Sequence, residues 1–336
     1  MDEIDLWIDV TDAARLGEAA TMALTVHLPE PAAIPARPIV CFAKPGGAFA
    51  RGYFTSDLPG PARGAQARWH AQRGWVFVSV DHLGVGDSST HDMSRLDYTT
   101  LAAAADSAER EVLRMLSKGL NGKEFPIVSD PVVLGLGQSM GASTVVFQQA
   151  HHSTYDGIAV LGFGVMDMHV PVAPGETPLV RPWIPRDAFD VVVNARQVAA
   201  AGPQDELAKA MWFWFWDDVD VATAFPGWYQ GAAPWISSTV PGVVLCAQTP
   251  GVVFTEAAAV DVPVLLAFGE RDVCLDRRSE PRAYQSAPSV DLFLCPAMGH
   301  MHNFAGTREL LWTRIENWSQ WVAAAQRALT SRREHV

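Results

Sequence analysis

The sequence predicts an α/β protein in which a mostly parallel central sheet is covered by helices on both faces and interrupted by an inserted segment. Two observations carry this expectation. From residue 38 onward, short runs rich in Val, Ile, Leu and Phe alternate with longer helix-like stretches, and strands buried on both faces read as near-continuous apolar runs. At residues 131–150 one such run turns abruptly into a helix through Gly137-Gln138-Ser139-Met140-Gly141.

The expected strands are Pro38–Ala43, Trp75–Val80, Pro131–Leu136, Gly157–Leu161, Val262–Phe268 and Val290–Cys295, each closed by Gly, Pro, Asp or another turn former. Ile4–Val10 and Thr21–Leu28 precede them as an antiparallel pair. Thr99–Leu120 carries Leu101, Val112, Leu113 and Leu116 at helical spacing, and Arg308–Leu329 sets Leu311, Ile315, Trp318 and Val322 on one stripe. Both are expected to pack on the sheet as helices.

The rhythm stops near residue 164 and resumes near 256. Residues 1–163 and 256–336 therefore form the expected core, and 164–255 an insertion holding Trp183, Trp212, Trp214, Trp216, Trp228 and Trp235, six of the twelve tryptophans. A segment inserted between two strands of one sheet commonly covers the end of that sheet as a lid.

Composition limits the function. The chain has 336 residues, 49% of them hydrophobic, enough for a sizeable core. Its net charge of -12 repels polyanions, so neither nucleic acid nor an anionic membrane surface is an expected partner. Cys41, Cys246, Cys274 and Cys295 form no C-x-x-C pair, which suits a reducing compartment. The acidic, charge-interrupted first twenty residues do not read as a signal peptide, and no apolar window reaches membrane-spanning length. The expectation is a soluble, cytoplasmic protein.

The chemistry centres on the turn at 137–141. A serine at the apex of a strained strand-to-helix turn projects its hydroxyl beyond the sheet, and glycines two residues to either side let neighbouring backbone come close. The following helix points unpaired N–H groups at the same place, which makes the N–H of Met140 a ready oxyanion donor. A serine hydroxyl needs a base, and the base needs an acid to orient it. Downstream, Gly269-Glu270-Arg271-Asp272 ends one strand with a carboxylate, and Pro296-Ala297-Met298-Gly299-His300 ends the next with an imidazole.

The order Ser139, Asp272, His300 resembles that of the α/β-hydrolase superfamily. The resemblance spans residues 22–163 and 256–330. It includes Asp81-His82-Leu83-Gly84-Val85-Gly86-Asp87-Ser88, similar to the family's D-x-x-G-x-G-x-S turn, the Phe-Gly-Glu-Arg-Asp run at 268–272 and Gly299-His300. It implies an α/β-hydrolase fold with a helical lid, a Ser139–His300–Asp272 triad and a second oxyanion donor after the third strand. That loop reads Lys44-Pro45-Gly46-Gly47-Ala48, with Pro45 where the family commonly has histidine. The resemblance gives the role to the Gly47 N–H, with Gly46 and Ala48 as neighbours that could take it. Asp167, after Gly157–Leu161, is the alternative acid, and His302 the alternative base. Asp272 fits the family turn more closely, and His300 directly follows the strand-end glycine. His70, His91, His151 and His152 read as surface or helix residues.

The activity so implied is hydrolysis of a carboxylic ester or lactone of apolar or aromatic character, through an acyl-enzyme. Carbon–carbon bond hydrolysis, thioester cleavage and acyl transfer use the same triad, and a ligand sensor on a hydrolase scaffold is the reading from another class. No cofactor is indicated: the chain has no P-loop, no G-x-G-x-x-G opening a helix and no metal-ligand spacing, His300-Met301-His302 being the nearest approach to one. The run Met211-Trp212-Phe213-Trp214-Phe215-Trp216 cannot direct every ring to one side of a helix. Trp212, Trp214 and Trp216 are therefore expected either to wall a substrate pocket or to form the lid core with a homodimer contact.

Overall fold

A computed structural model describes residues 2–120, 127–176, 183–186, 211–227 and 231–333. Trp228 lies outside the described residues. Eight strands form one sheet in the order β1-β2-β4-β3-β5-β6-β7-β8. These are β1 (Asp2–Asp9), β2 (Thr21–Leu28), β3 (Ile39–Lys44), β4 (Val76–Val80), β5 (Val132–Gln138), β6 (Gly157–Leu161), β7 (Val264–Gly269) and β8 (Val290–Cys295). The β1–β2 and β2–β4 pairs are antiparallel, and the remaining pairs are parallel.

The strands are apolar on both sides because both sides are covered. On β3, Val40 and Phe42 join the core under α2 (Tyr98–Lys118) and α3 (Met140–His152). Ile39, Cys41 and Ala43 join the opposite layer with α1 (Gln66–Ala71) and α4 (Arg308–Arg333). The alternation follows from the pleat, which sends successive side chains to opposite faces. Asp97 starts α2 by accepting the Thr100 N–H at 2.7 Å. Of the expected helical residues, Leu101, Val112 and Leu116 bury on α2, and Leu311, Ile315, Trp318 and Val322 on α4.

Every expected strand is present: β2, β6 and β8 keep the expected bounds, and the others have ends moved by one or two residues. Expected strands beginning at Pro38 and Pro131 begin one residue later, consistent with proline having no N–H to give a ladder. β5 runs on to Gln138 because Gly137 still pairs with Lys44 and Gln138 with Leu161.

The strand order places the C-terminal ends of β3, β4, β5, β7 and β8 on one edge of the sheet, the edge where ligands bind in open α/β folds. Between β6 and β7, which pair directly, the chain makes its long excursion. Among the described residues no helix is long and apolar enough to cross a membrane.

Candidate active site

Ser139 joins β5 to α3 at φ 55° and ψ -122°. A side chain in this region of backbone space is strained, and such strain persists only where the surroundings enforce it. The glycines on either side explain how it is enforced. A Cβ on Gly137 would lie 2.3 Å from the Gly141 carbonyl oxygen, and one on Gly141 would lie 2.3 Å from that of Lys44. The turn thus brings strand, helix and the β3 loop into contact. Although Ser139 occupies the N-cap of α3, it makes no side-chain capping bond. Its hydroxyl is instead 3.0 Å from His300 Nε2.

The imidazole is held in turn. His300 Nδ1 lies 2.6 Å from Asp272 Oδ1, so a neutral ring with its hydrogen on Nδ1 presents a bare Nε2 to the serine. The N–H of Gly269 donates to Asp272 Oδ2 at 2.9 Å and that of Val273 to Oδ1 at 2.8 Å. Burial pushes the Asp272 carboxyl up, but the neighbouring His300 and His302 outweigh it and hold the group well below the usual carboxylate range. Asp167 is occupied elsewhere: its Oδ2 accepts the N–H groups of Leu275 and Asp276 at 2.7 and 2.8 Å. His302 directs Nε2 to Asp272 Oδ2 at 2.8 Å.

Met140, the residue after the serine, is buried at the first position of α3. The loop after β3 comes against the same turn. A Cβ on Gly46 would stand 3.2 Å from Ser139 Cβ and 2.4 Å from Gln138 Oε1. Gly47 is covered from outside, since its Cβ would lie 2.2 Å from Val244 Cγ2 on the short helix Val243–Cys246.

Three contacts that support these loops were given no role by the sequence. His82 Nε2 lies 3.1 Å from the Pro45 carbonyl, and burial pushes the His82 imidazole down to about 4, so the neutral ring donates there. Gln138 donates its amide N–H to the His300 carbonyl at 2.9 Å, tying the serine strand to the histidine loop. Beneath, Lys44 Nζ pairs with Glu109 Oε1 at 2.8 Å and donates to Tyr155 Oη at 2.7 Å, with both ionic side chains almost wholly buried. Burial pushes the Lys44 ammonium down, and Glu109 opposes that.

An esterase from Thermogutta terrifontis superposes with a TM-score of 0.60 at 15% identity, over 94% of this chain and 99% of that one. A haloalkane dehalogenase variant from Bradyrhizobium elkanii gives 0.59 at 15%, over 97% and 99%. A peroxisomal α/β-hydrolase from Saccharomyces cerevisiae gives 0.59 at 10%, over 96% and 89%. The chain has the α/β-hydrolase fold. No family model and no curated protein matches it in sequence.

The excursion from this α/β-hydrolase sheet meets the site at the aromatic run. The Trp214 carbonyl accepts the Met301 N–H at 2.7 Å, and the Phe213 ring lies 5.4 Å from the His300 ring. Trp212 and Trp216 take another position: their rings flank the Arg271 guanidinium at 4.2 and 4.8 Å. Arg271 also pairs with Asp217 and donates to the Phe215 carbonyl, so the run grips the residue next to Asp272. Trp214 packs among Phe49, Phe213 and Phe225. Trp235 donates to the Ala224 carbonyl at 2.9 Å, and Trp183 is exposed.

The remaining sequence expectations have plain structural places. Asp81, in the 81–88 turn, takes the N–H groups of Arg51 and Asp87 at 2.6 and 3.0 Å, which makes that turn a joint between loops. His70 belongs to α1 and is fully buried, stacked on Trp75 and Phe77. The four cysteines are buried free thiols. Among the described residues no group of three or more His, Cys, Asp or Glu side chains is placed to hold a metal ion.

Proposed function

We propose that this protein is a serine hydrolase of carboxylic esters or lactones whose acid or alcohol part is apolar or aromatic. The observation that carries the reading is the continuous chain Ser139 Oγ, His300 Nε2, His300 Nδ1, Asp272 Oδ1, with links of 3.0 and 2.6 Å, at a strained elbow. A positioned base and orienting acid are what turn a hydroxyl into a nucleophile.

In the reaction, Ser139 Oγ attacks the acyl carbon while His300 Nε2 accepts the serine proton, and Asp272 stabilises the imidazolium. The N–H groups of Met140 and Gly47 hold the oxyanion of the tetrahedral intermediate. His300 then protonates the departing alkoxide. Water, deprotonated by the same nitrogen, attacks the acyl-enzyme and releases the acid with Ser139 restored.

Residues 164–255 act as the lid in this reading. Their support is positional: Phe213 rests on His300, and Val244 rests on Gly47, so the excursion contacts both the base and the oxyanion loop. Apolar contacts at both places favour an apolar ligand. A panel of p-nitrophenyl esters of graded chain length, with aromatic esters and lactones, tests the function against a Ser139→Ala control. Longer or aromatic esters are expected to be turned over best, and no turnover of any member would refute the ester reading.

A further inference from the structure

Asp272 carries two histidines. His300 takes Oδ1 and His302 takes Oδ2, and each oxygen also receives one backbone N–H, from Val273 and Gly269. A carboxylate free to rotate about its Cβ–Cγ bond would present His300 with a changing acceptor. Four donors in two pairs fix its plane. The backbone N–H groups lie on the acid's own turn, whereas His302 reaches it from the histidine loop.

We propose that His302 is a positioning residue for the reaction: it holds the Asp272 carboxylate in the plane that serves His300, and it does not exchange protons with Ser139. The inference rests on the triad proposed above. His302 Nε2 is committed to Asp272, and its Nδ1 is buried without a hydrogen-bond partner. Asp272 is thus what orients this ring, as the ring orients Asp272.

The histidine is itself braced. The backbone N–H of its neighbour Asn303 donates to the Tyr53 hydroxyl oxygen at 3.0 Å, and the Asn303 side-chain oxygen accepts the Trp312 indole N–H at 2.9 Å. The Arg308 guanidinium donates to the Asn303 carbonyl at 2.8 Å. On the other side stands Gly162 at φ 58°, where a Cβ would approach His300 Nδ1 to 3.1 Å and Asp272 Oδ2 to 3.3 Å. The His300 imidazole and the Asp272 carboxylate therefore pack against bare backbone at Gly162, while the segment carrying His302 is hydrogen-bonded in place at Asn303.

The test compares His302→Gln, His302→Asn and His302→Leu in the full chain. The glutamine amide nitrogen can stand near the Nε2 position and donate to Asp272, the shorter asparagine amide falls short of it, and leucine donates nothing. The readout is inactivation by a small fluorophosphonate, resolved into a maximal rate and a half-saturating concentration, which needs no knowledge of the natural substrate. The expected result is a maximal rate about 10- to 100-fold lower in the Leu and Asn variants at an unchanged half-saturating concentration, with Gln within about threefold of the parent. The proton shared by His300 and Asp272, followed by NMR, should move in the Leu and Asn variants and stay in place in Gln. If Leu fails to fold, the Gln and Asn pair decides. A folded Leu or Asn variant that reacts at the parental rate, or a Gln variant as slow as Asn, overturns the proposal. Ser139→Ala and His300→Ala controls separate this outcome from failure of the triad, because the first must abolish labelling and the second must slow it severely whatever His302 does.

Discussion

The Phe213 carbonyl accepts the backbone N–H of His300 at 2.8 Å, so the excursion is hydrogen-bonded to the loop that carries the proposed base. A segment bonded in this way positions the loop as well as covering it. Trp212 and Trp216 add a second attachment by flanking Arg271, one residue before Asp272. The aromatic run thereby divides into residues that grip the loops of Asp272 and His300 and residues that pack beside the candidate site.

That division predicts different effects along the run. Trp212→Ala and Trp216→Ala each remove a ring from Arg271, and a desolvated cation–π contact contributes on the order of 1–2 kcal/mol. Both should lower the melting transition and slow small and large esters in similar proportion. Trp214→Ala should instead reduce kcat/KM for bulky esters more than for acetates. Steady-state kinetics on variants that retain a cooperative melt check this, and parental selectivity in Trp214→Ala would assign that ring to packing alone.

The acid is decided by two substitutions. Asp272→Asn is expected to lower turnover by about 10³-fold or more, since the amide cannot stabilise the imidazolium or fix its tautomer. Asp167→Asn should act chiefly on stability, because that carboxylate holds the turn at Leu275 and Asp276. A greater activity loss at Asp167 would move the acid to the loop after β6.

Acid should destabilise the protein through His82. Its pKa is depressed from 6.5 to about 4 in the folded state by burial, so the unfolded chain takes up the proton first as pH falls. The stability that the neutral ring contributes is present above pH 6.5 and is lost on acidification toward pH 4, by on the order of 3 kcal/mol. His82→Gln keeps a donor for Pro45 but does not titrate. Urea unfolding at pH 7 and pH 4 should show the stability of parent relative to variant falling between the two, and a constant difference would contradict the assignment.

The Lys44–Glu109 pair predicts an asymmetry. Glu109→Gln leaves a buried ammonium without its counter-charge and should cost on the order of 3–5 kcal/mol, whereas Lys44→Met combined with Glu109→Gln should recover much of the loss. Chemical denaturation of Glu109→Gln, Lys44→Met and the double variant measures it, and additive losses would contradict a coupled pair.

These residues also show what a sequence reveals. The strands were legible because burial on both faces leaves few polar positions, and the elbow was legible because Gly137, Ser139 and Gly141 meet a steric demand within five residues. Asp272 and His300 stood out because each lies in the turn that follows a strand, β7 and β8 respectively. Lys44 could not: it closes an apolar run, and its partners Glu109 and Tyr155 come from α2 and the turn after α3. Arg271 was read as part of a turn, yet its ring partners lie more than fifty residues earlier, and nothing in their spacing joins them to it. His82 was visible in its motif, but its contact with Pro45 depends on β3 and β4 being neighbours. Local geometry writes itself into short patterns, whereas contacts between distant segments require the assembled sheet.

The account stands most directly on Ser139 as a nucleophile activated by His300. Incubation with a fluorophosphonate probe followed by peptide mass spectrometry of the parent, Ser139→Ala and His300→Ala proteins measures it. One adduct is expected, on Ser139, absent in Ser139→Ala and formed about 10³-fold or more slowly in His300→Ala. An adduct at another residue, or labelling of Ser139 at the parental rate without His300, would contradict it.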